Sequence, residues 1–325
     1  MSFSYKGKEI EVYTQPIQWL DYKRYTEDLD LNHRLNLEMG FTGSLCYLNH
    51  NDYYDPWLLA SQLVSKTGLK PLVAVNPAYH HPYIIARSIF TLSAMRQGPI
   101  ALNFIAGTAT GDLQQIGQLQ AKEQRYRRLG EMIQVIRNYL EKESAWTFDG
   151  DYFKIEASSF LGDIKYQPEY FVAGHSSHAE GLVKRFSANW AKSLLADDLK
   201  DASVPVASAM GFGVYLAETA EQGKKELSEL LGIDQTSKTL FRLRMANTDA
   251  QWKQEQAQSM GNETVSECYF PEAIQSPANV PFLVGNLEDV ARLIKTHLLD
   301  KGIRKFIVPM VNEKSYQDFA DVIVQ

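Results

Sequence analysis

Short apolar runs alternate with longer segments whose apolar positions recur at helical spacing, and the alternation persists along the chain. EIEVYTQPI at 9–17 reads as a first strand, and RYTEDLDLNHRLNLEMG at 24–40 as a helix closed by Gly40. FTGSLCYL (41–48), KPLVAV (70–75) and PIALNFIAG (99–107) read as strands two to four. Between them lie PWLLASQLVSKTG and PYIIARSIFTLSAMRQG, helices opened by Pro56 and Pro82 and ended by Gly68 and Gly98. A long helix over roughly 120–142 puts Leu129, Met132, Ile133, Ile136 and Leu140 on one face. WTFDGDYFKI then predicts a hairpin turning at Asp149-Gly150, within an insertion at 144–167. PEYFVAG is the fifth strand, HAEGLVKRF its helix, ANWAKSLL the sixth strand, and VPVASAMGFGVYLAET contains the seventh. Residues 220–280 are polar and less regular, and are expected to form an irregular insertion. NLEDVARLIKTHLLDKG is a helix, RKFIVPM the eighth strand and YQDFADVIV a closing helix.

Strands three to five are continuously apolar, as expected where both faces are covered. Eight strands alternating with helices predict an α/β fold, a single-domain (β/α)8 TIM barrel over 1–325 with an excursion between strands seven and eight. The alternative is an open doubly wound sheet. Against it, YTQPIQWLD after the first strand contains no glycine, so the dinucleotide fingerprint is missing. In a barrel, function gathers at the C-terminal strand ends. Here those ends are polar, amide-rich and glycine-rich: Gln15, Asn49-His50, Asn76, Asn103 to Thr108, Gly174 to Ser177, Lys192-Ser193 and Gly211 to Gly213. Carboxylates and histidines do not recur there at metal-ligand spacing. The adjacent His80-His81 pair reads as part of a loop leading into Pro82.

Composition narrows the classes. With 325 residues, 45% hydrophobic and 22% charged, the chain is of ordinary globular type. A net charge of −6 without a basic tract argues against a nucleic-acid partner. Two cysteines make no disulfide framework, and neither a signal-like leader nor a membrane span is evident, so a cytoplasmic protein is expected.

YFVAGHSSHAEG at 170–181 admits two readings. One is a hydrolase site with Ser176 or Ser177 as nucleophile, but His178 stands where the G-x-S-x-G elbow needs its second glycine. The other is a strand, small-residue turn and helix start that cradles a phosphate.

Residues 71–157 carry a family resemblance. PLVAVNPAYHHPYIIARSIFTLSAMRQGPIALNFIAG, then KEQRYRRLGEMIQVIRNYLEKESAWTFDGDYFKIE, YFVAGHSSHAEGL and NLEDVARLIKTHLLDKGIRKFIV follow the order and spacing of the bacterial luciferase-like flavin-dependent monooxygenases. The alkanesulfonate monooxygenase-like branch is the most similar. The resemblance implies a (β/α)8 barrel that binds reduced FMN (FMNH2) supplied by a separate NAD(P)H:flavin reductase. A flavin peroxide then oxidises a small organic substrate, and the protein supplies orientation and a dry cavity. It also implies a homodimer paired through barrel-wall helices.

By the same resemblance, Asn103 contacts the flavin ring edge, Gly107 and Thr108 let backbone approach it, and Lys122 and Tyr126 lie on the phosphate side. Gly174, Ser176 and Ser177 form the phosphate cradle, and His175 replaces a glycine usual in the family. His50, Asp52 and Tyr54, after the second strand, are the candidate proton-handling residues. The chain departs from the sulfonate oxidisers at Tyr53, Gly211, Gly213, Val311 and Glu313, where their cysteine and sulfonate-binding side chains stand. Those departures disfavour desulfonation. The glycines read as room for a larger or carrier-tethered acyl or aminoacyl substrate. They also leave open a non-catalytic flavin-binding relative.

Overall fold

The computed structural model describes residues 3–17, 21–48, 54–159, 165–200, 207–254, 265–273 and 280–324. Eight parallel strands close a ring in chain order: Lys8–Pro16, Gly43–Cys46, Lys70–Val75, Ala101–Phe104, Glu169–Ala173, Asn189–Ser193, Ala209–Gly211 and Lys305–Met310. The first strand decides between the two predicted architectures. It pairs with the eighth from Glu11↔Lys305 to Pro16↔Met310, and with the second at Tyr13↔Gly43 and Thr14↔Ser44. A sheet bonded at both edges of its first strand is a (β/α)8 barrel, as expected.

The helices start and stop where the sequence marks them. Asp21 and Asp55 cap Tyr22–Met39 and Pro56–Thr67 by accepting first-turn amides, and Gly40 and Gly68 end them in left-handed conformation. Helix Pro82–Arg96 ends on Gln97, at φ 55°, one residue before the expected glycine.

The chain divides into two compact units, residues 1–45 with 191–325, and 46–190. In the first, Phe212, Phe306 and Phe319 form a fully buried ring cluster with centroids 5.8–6.1 Å apart. A closed polar network lies nearby. Asn32 Nδ2 donates to Thr14 Oγ1 (2.9 Å) and Tyr316 Oη (2.7 Å), and Thr14 Oγ1 donates to Asn36 Oδ1 (2.8 Å). Ser44 Oγ donates to Asn32 Oδ1 (2.7 Å), and Asn36 Nδ2 donates to Ser44 Oγ (2.8 Å).

Among the described residues of 220–280, regular elements replace part of the expected irregular stretch. These are the helices Ala220–Leu230 and Gln235–Ala246 and the strand Cys268–Tyr269. The seventh strand bends at Phe212, and its continuation Gly213–Leu216 pairs in parallel with Phe282–Gly285 in a separate three-stranded sheet. This overturns the reading of Gly213 as room for substrate. A Cβ there would lie 2.1 Å from the Phe282 ring, which is fully buried and fills the space. Gly213→Ala is therefore expected to destabilise the fold by about 1–3 kcal/mol, the usual cost of overpacking. Chemical denaturation measures this, and an unchanged midpoint would show that Phe282 can move aside.

In the second unit, helix Lys122–Glu141 sends Met132, Ile133 and Ile136 into one apolar cluster with Ile85, Ile89 and Leu92 of helix Pro82–Arg96. Val73, Val75, Leu102, Phe104 and Val172 join that cluster from the strands. Side chains alternate along a strand, so Ala74, Asn103 and Phe171 face the opposite way, into the barrel. Asn103 is in register with both Ala74 and Phe171.

The hairpin forms from Trp146–Asp149 and Lys154–Ser158, but not through a two-residue Asp-Gly turn. Gly150 N–H bonds the Phe153 carbonyl (3.0 Å), closing a four-residue turn. The Glu131 carboxylate accepts from the amides of Asp151 (2.9 Å), Tyr152 (2.8 Å) and Phe153 (3.2 Å), so the long helix holds the turn.

Candidate functional site

The second unit contains the residues expected around a flavin. Asn103 lies on the fourth strand and is 8% exposed. Its Oδ1 is buried and has no hydrogen-bond partner among the described residues. Such an acceptor costs free energy in the free protein, and it is a place where a ligand's N–H belongs. Gly107, four residues on, has φ +78°, and an added Cβ would meet Asn76 Nδ2 at 3.1 Å and Leu113 at 3.2 Å. Thr108 follows in the same loop.

Sequence reasoning passed over Arg125. It is buried, donates Nε–H to the Gly107 carbonyl (3.3 Å) and donates Nη1–H to the Gln120 carbonyl (2.9 Å). The long helix thereby fixes the loop that follows Asn103. The available signal was its place beside Tyr126 in the same helical turn.

Tyr126 does lie at the expected cradle. Gly174 has φ +136°, and a Cβ there would stand 2.7 Å from Tyr126 Oη. The Gly174 carbonyl accepts from Trp190 Nε1 at 2.7 Å, so the turn is pinned from a second side. Ser176 is the N-cap of helix Ser177–Phe186, its Oγ accepting from Ala179 N–H (3.3 Å), and its carbonyl accepts from Glu180 N–H (3.1 Å). Helix geometry leaves the amides of Ser177 and His178 without intrahelical acceptors at the positive end of the dipole, an arrangement suited to an anion. His178, in the same helix start, was not assigned a role from sequence. Its ring stacks on Tyr126, centroids 5.6 Å apart and planes at 21°. Lys122 opens the long helix, half-buried, one helical turn before Tyr126. His175 is half-buried in the turn before Ser176.

The structure thus brings together Gly174, Ser176, Ser177 and Tyr126, and places Asn103, Gly107, Thr108 and Lys122 in the same unit. Of the proton-handling candidates, His50 and Asp52 lie outside the described residues. Tyr54 is half-buried immediately before the helix cap Asp55. Among the described residues there is no cluster of histidine, cysteine or carboxylate side chains able to hold a metal ion.

Ser176→Ala and Ser177→Ala separate the structural from the binding role. The cap substitution is expected to cost about 1 kcal/mol of stability. The exposed Ser177 should cost almost none, and both variants should bind FMN more weakly in a fluorescence titration. Unchanged affinity in the double variant would remove this turn from the phosphate site.

The luciferase-like monooxygenase family model matches residues 36–296. The chain belongs to that family. Family membership makes it an oxygen-using oxidoreductase and disposes of the hydrolase reading, in line with the use of Ser176 as a helix cap. Among curated family relatives, the 4-(gamma-L-glutamylamino)butanoyl-[BtrI acyl-carrier protein] monooxygenase BtrO of Niallia circulans is 28% identical over 318 residues, 92% of this chain and 91% of that protein. The FMNH(2)-dependent dimethylsulfone monooxygenase of Pseudomonas fluorescens (strain Pf0-1) is 29% identical over 126 residues, 38% of this chain and 34% of that protein. The oxygenating constituent of 3,6-diketocamphane monooxygenase from Pseudomonas putida, solved with FMN, superposes with a TM-score of 0.66 at 17% identity. The match covers 97% of this chain and 96% of that one, and it shows the shared fold. The alkanesulfonate branch is not singled out by these matches.

Proposed function

We propose that the protein is the oxygenase of a two-component system. It takes reduced FMN from a separate NAD(P)H:flavin reductase and inserts one atom of dioxygen into an acyl or aminoacyl chain held on a carrier protein. The observation that carries the cofactor is the buried amide oxygen of Asn103, without a partner among the described residues and in one unit with the glycine-serine turn. The relative from Niallia circulans, matched over 92% of this chain, supports the carrier-bound substrate. The cofactor residues fit that group: an unfilled acceptor for the ring edge, and a cradle at Gly174 that a Cβ would fill.

Asn103 holds the ring edge, Gly107 lets backbone approach it, and Arg125 keeps that loop in place. Ser176, Ser177, His178 and the Lys122 ammonium take the phosphate. Apolar neighbours such as Ala74 and Phe171 exclude water beside Asn103. Reduced flavin supplies the activation of oxygen when bound. His50, Asp52 and Tyr54 are the proposed proton-handling residues. The overall balance is reduced FMN, dioxygen and a C–H bond giving FMN, water and a C–OH bond.

The test is incorporation of labelled dioxygen by protein, reductase and NADH. One label atom should enter the carrier-linked acyl chain, with the free acid a poor substrate. Label in the free acid at equal rate would overturn the carrier assignment, and flavin oxidation without label in either would overturn the oxygenase. Helix Pro82–Arg96 exposes Tyr83, Ile84, Phe90 and Met95, and the preceding helix exposes Leu58. This face supports a homodimer, checked by sedimentation. Both cysteines are buried and neither is in a disulfide, burial pushes the Cys46 thiol up to about 12, and no helix among the described residues is long and apolar enough to cross a membrane. A cytoplasmic location, where NAD(P)H is at hand, is consistent with these features.

A further inference from the structure

Gly174 follows the fifth strand at φ +136°, a conformation that glycine enters readily and also leaves readily, since no side chain narrows its choices. A contact from outside the residue has to select that conformation. Trp190 provides one. The residue is buried, and its Nε1–H donates to the Gly174 carbonyl at 2.7 Å. Trp57 and Trp146 also bury Nε1, yet neither has a hydrogen-bond partner there among the described residues. At Trp190 the N–H has a defined target. The indole also stands on a fixed base. Its neighbour Asn189 donates Nδ2–H to the Glu169 carboxylate (2.8 Å) and to the Tyr170 carbonyl (3.2 Å), and Glu169 is paired with Lys70 of the third strand. Those bonds tie the start of the sixth strand to the start of the fifth, while the indole reaches the residue just past the fifth strand's end.

We propose that Trp190 is a positioning residue that makes the site selective for a phosphorylated flavin: its indole N–H holds the Gly174 peptide in the cradle conformation before the ligand arrives. The inference rests on the phosphate reading of the turn from Gly174 to Ser177. The bond fixes more than one atom. A trans peptide is planar, so holding the Gly174 carbonyl also sets the direction of the peptide that leads through His175 to the helix cap Ser176. Without the bond, the free turn spreads over other glycine conformations, and affinity for the phosphate falls in proportion to the fraction that stays competent. Asn103, proposed to meet the ring edge, lies on the fourth strand, and its place there does not depend on the indole bond. The ring end of the ligand should therefore keep its affinity when the indole donor is lost.

The test uses Trp190→Phe, which keeps an aromatic ring and loses the donor, in anaerobic titrations with reduced FMN and with reduced riboflavin, which has no phosphate. The preference for FMN over riboflavin should fall roughly three- to tenfold, the range a neutral hydrogen bond supports. Riboflavin affinity should stay at the wild-type level. Benzothienylalanine placed at position 190 keeps the bicyclic shape and replaces the N–H by sulfur. It should give the same fall, and it serves where the smaller Phe side chain prevents folding. A role confined to barrel stability would weaken both ligands alike. That outcome, or an unchanged preference in the benzothienylalanine variant, would overturn the inference and leave the phosphate reading standing. A wild type that binds FMN no better than riboflavin would overturn the phosphate reading of the turn, and the role of Trp190 with it.

Discussion

Asn103→Leu is expected to make the free protein more stable and a much poorer flavin binder. The two side chains are of similar size, and the amide oxygen being removed is buried without a partner. An unsatisfied buried polar group costs roughly 1–3 kcal/mol, and an apolar group of the same shape recovers much of it. Against this, the variant cannot accept a bond from the flavin ring edge, and affinity for reduced FMN should fall about tenfold or more. Thermal unfolding and an anaerobic titration measure the two effects. A variant that is less stable and binds flavin normally would show that Asn103 serves the barrel, not the cofactor. Opposite signs on stability and affinity are what a binding group held in an unfavourable free state should give.

Gly174→Ala is expected to damage the proposed phosphate cradle, for two separable reasons. At φ +136° a side chain is strained wherever it points. Its Cβ would also stand 2.7 Å from Tyr126 Oη, while Tyr126 is wedged between this turn and the His178 ring. We expect a loss of about 1–3 kcal/mol in stability from the backbone alone, and a further loss of FMN affinity as the tyrosine is displaced. Adding Tyr126→Phe removes the clashing oxygen and leaves Tyr126 Cζ at 3.9 Å. The double variant should therefore recover affinity but not the backbone loss. If Tyr126→Phe recovers nothing, the glycine is required for φ alone.

The barrel was legible because its signals are local and repeated: proline or aspartate at helix starts, glycine at helix ends, apolar runs between. The misreadings came where partners are distant. Glu131, far from the hairpin in sequence, collects three amides of the turn and selects a longer loop than Asp149-Gly150 alone predicts. Phe282 occupies the space beside Gly213, and no local pattern announces it. The turn and helix start at Ser176 and Ser177 were legible because a strand-turn-helix with small residues is a short-range motif. Arg125 and His178 were not, since each acts through one long-range contact: a carbonyl of the preceding loop and a ring on another helix. Buried asparagines make the same point. Asn32 and Asn36 have their bonds filled within the barrel wall, whereas Asn103 does not, and only coordinates separate the two cases.

The closure of the ring also has a kinetic side. The first strand has its longest register with the eighth, joined at one end by the ion pair of Glu11 and Lys305, which are 294 residues apart. During synthesis the N-terminal strand therefore emerges long before its principal partner exists. It waits with that edge unpaired, which is the condition in which strands join other chains. Pairing at such sequence separation is intrinsically slow. Emergence of the eighth strand sets the earliest moment at which the barrel can close, and the yield of folded protein should depend on how well the first strand is shielded until then.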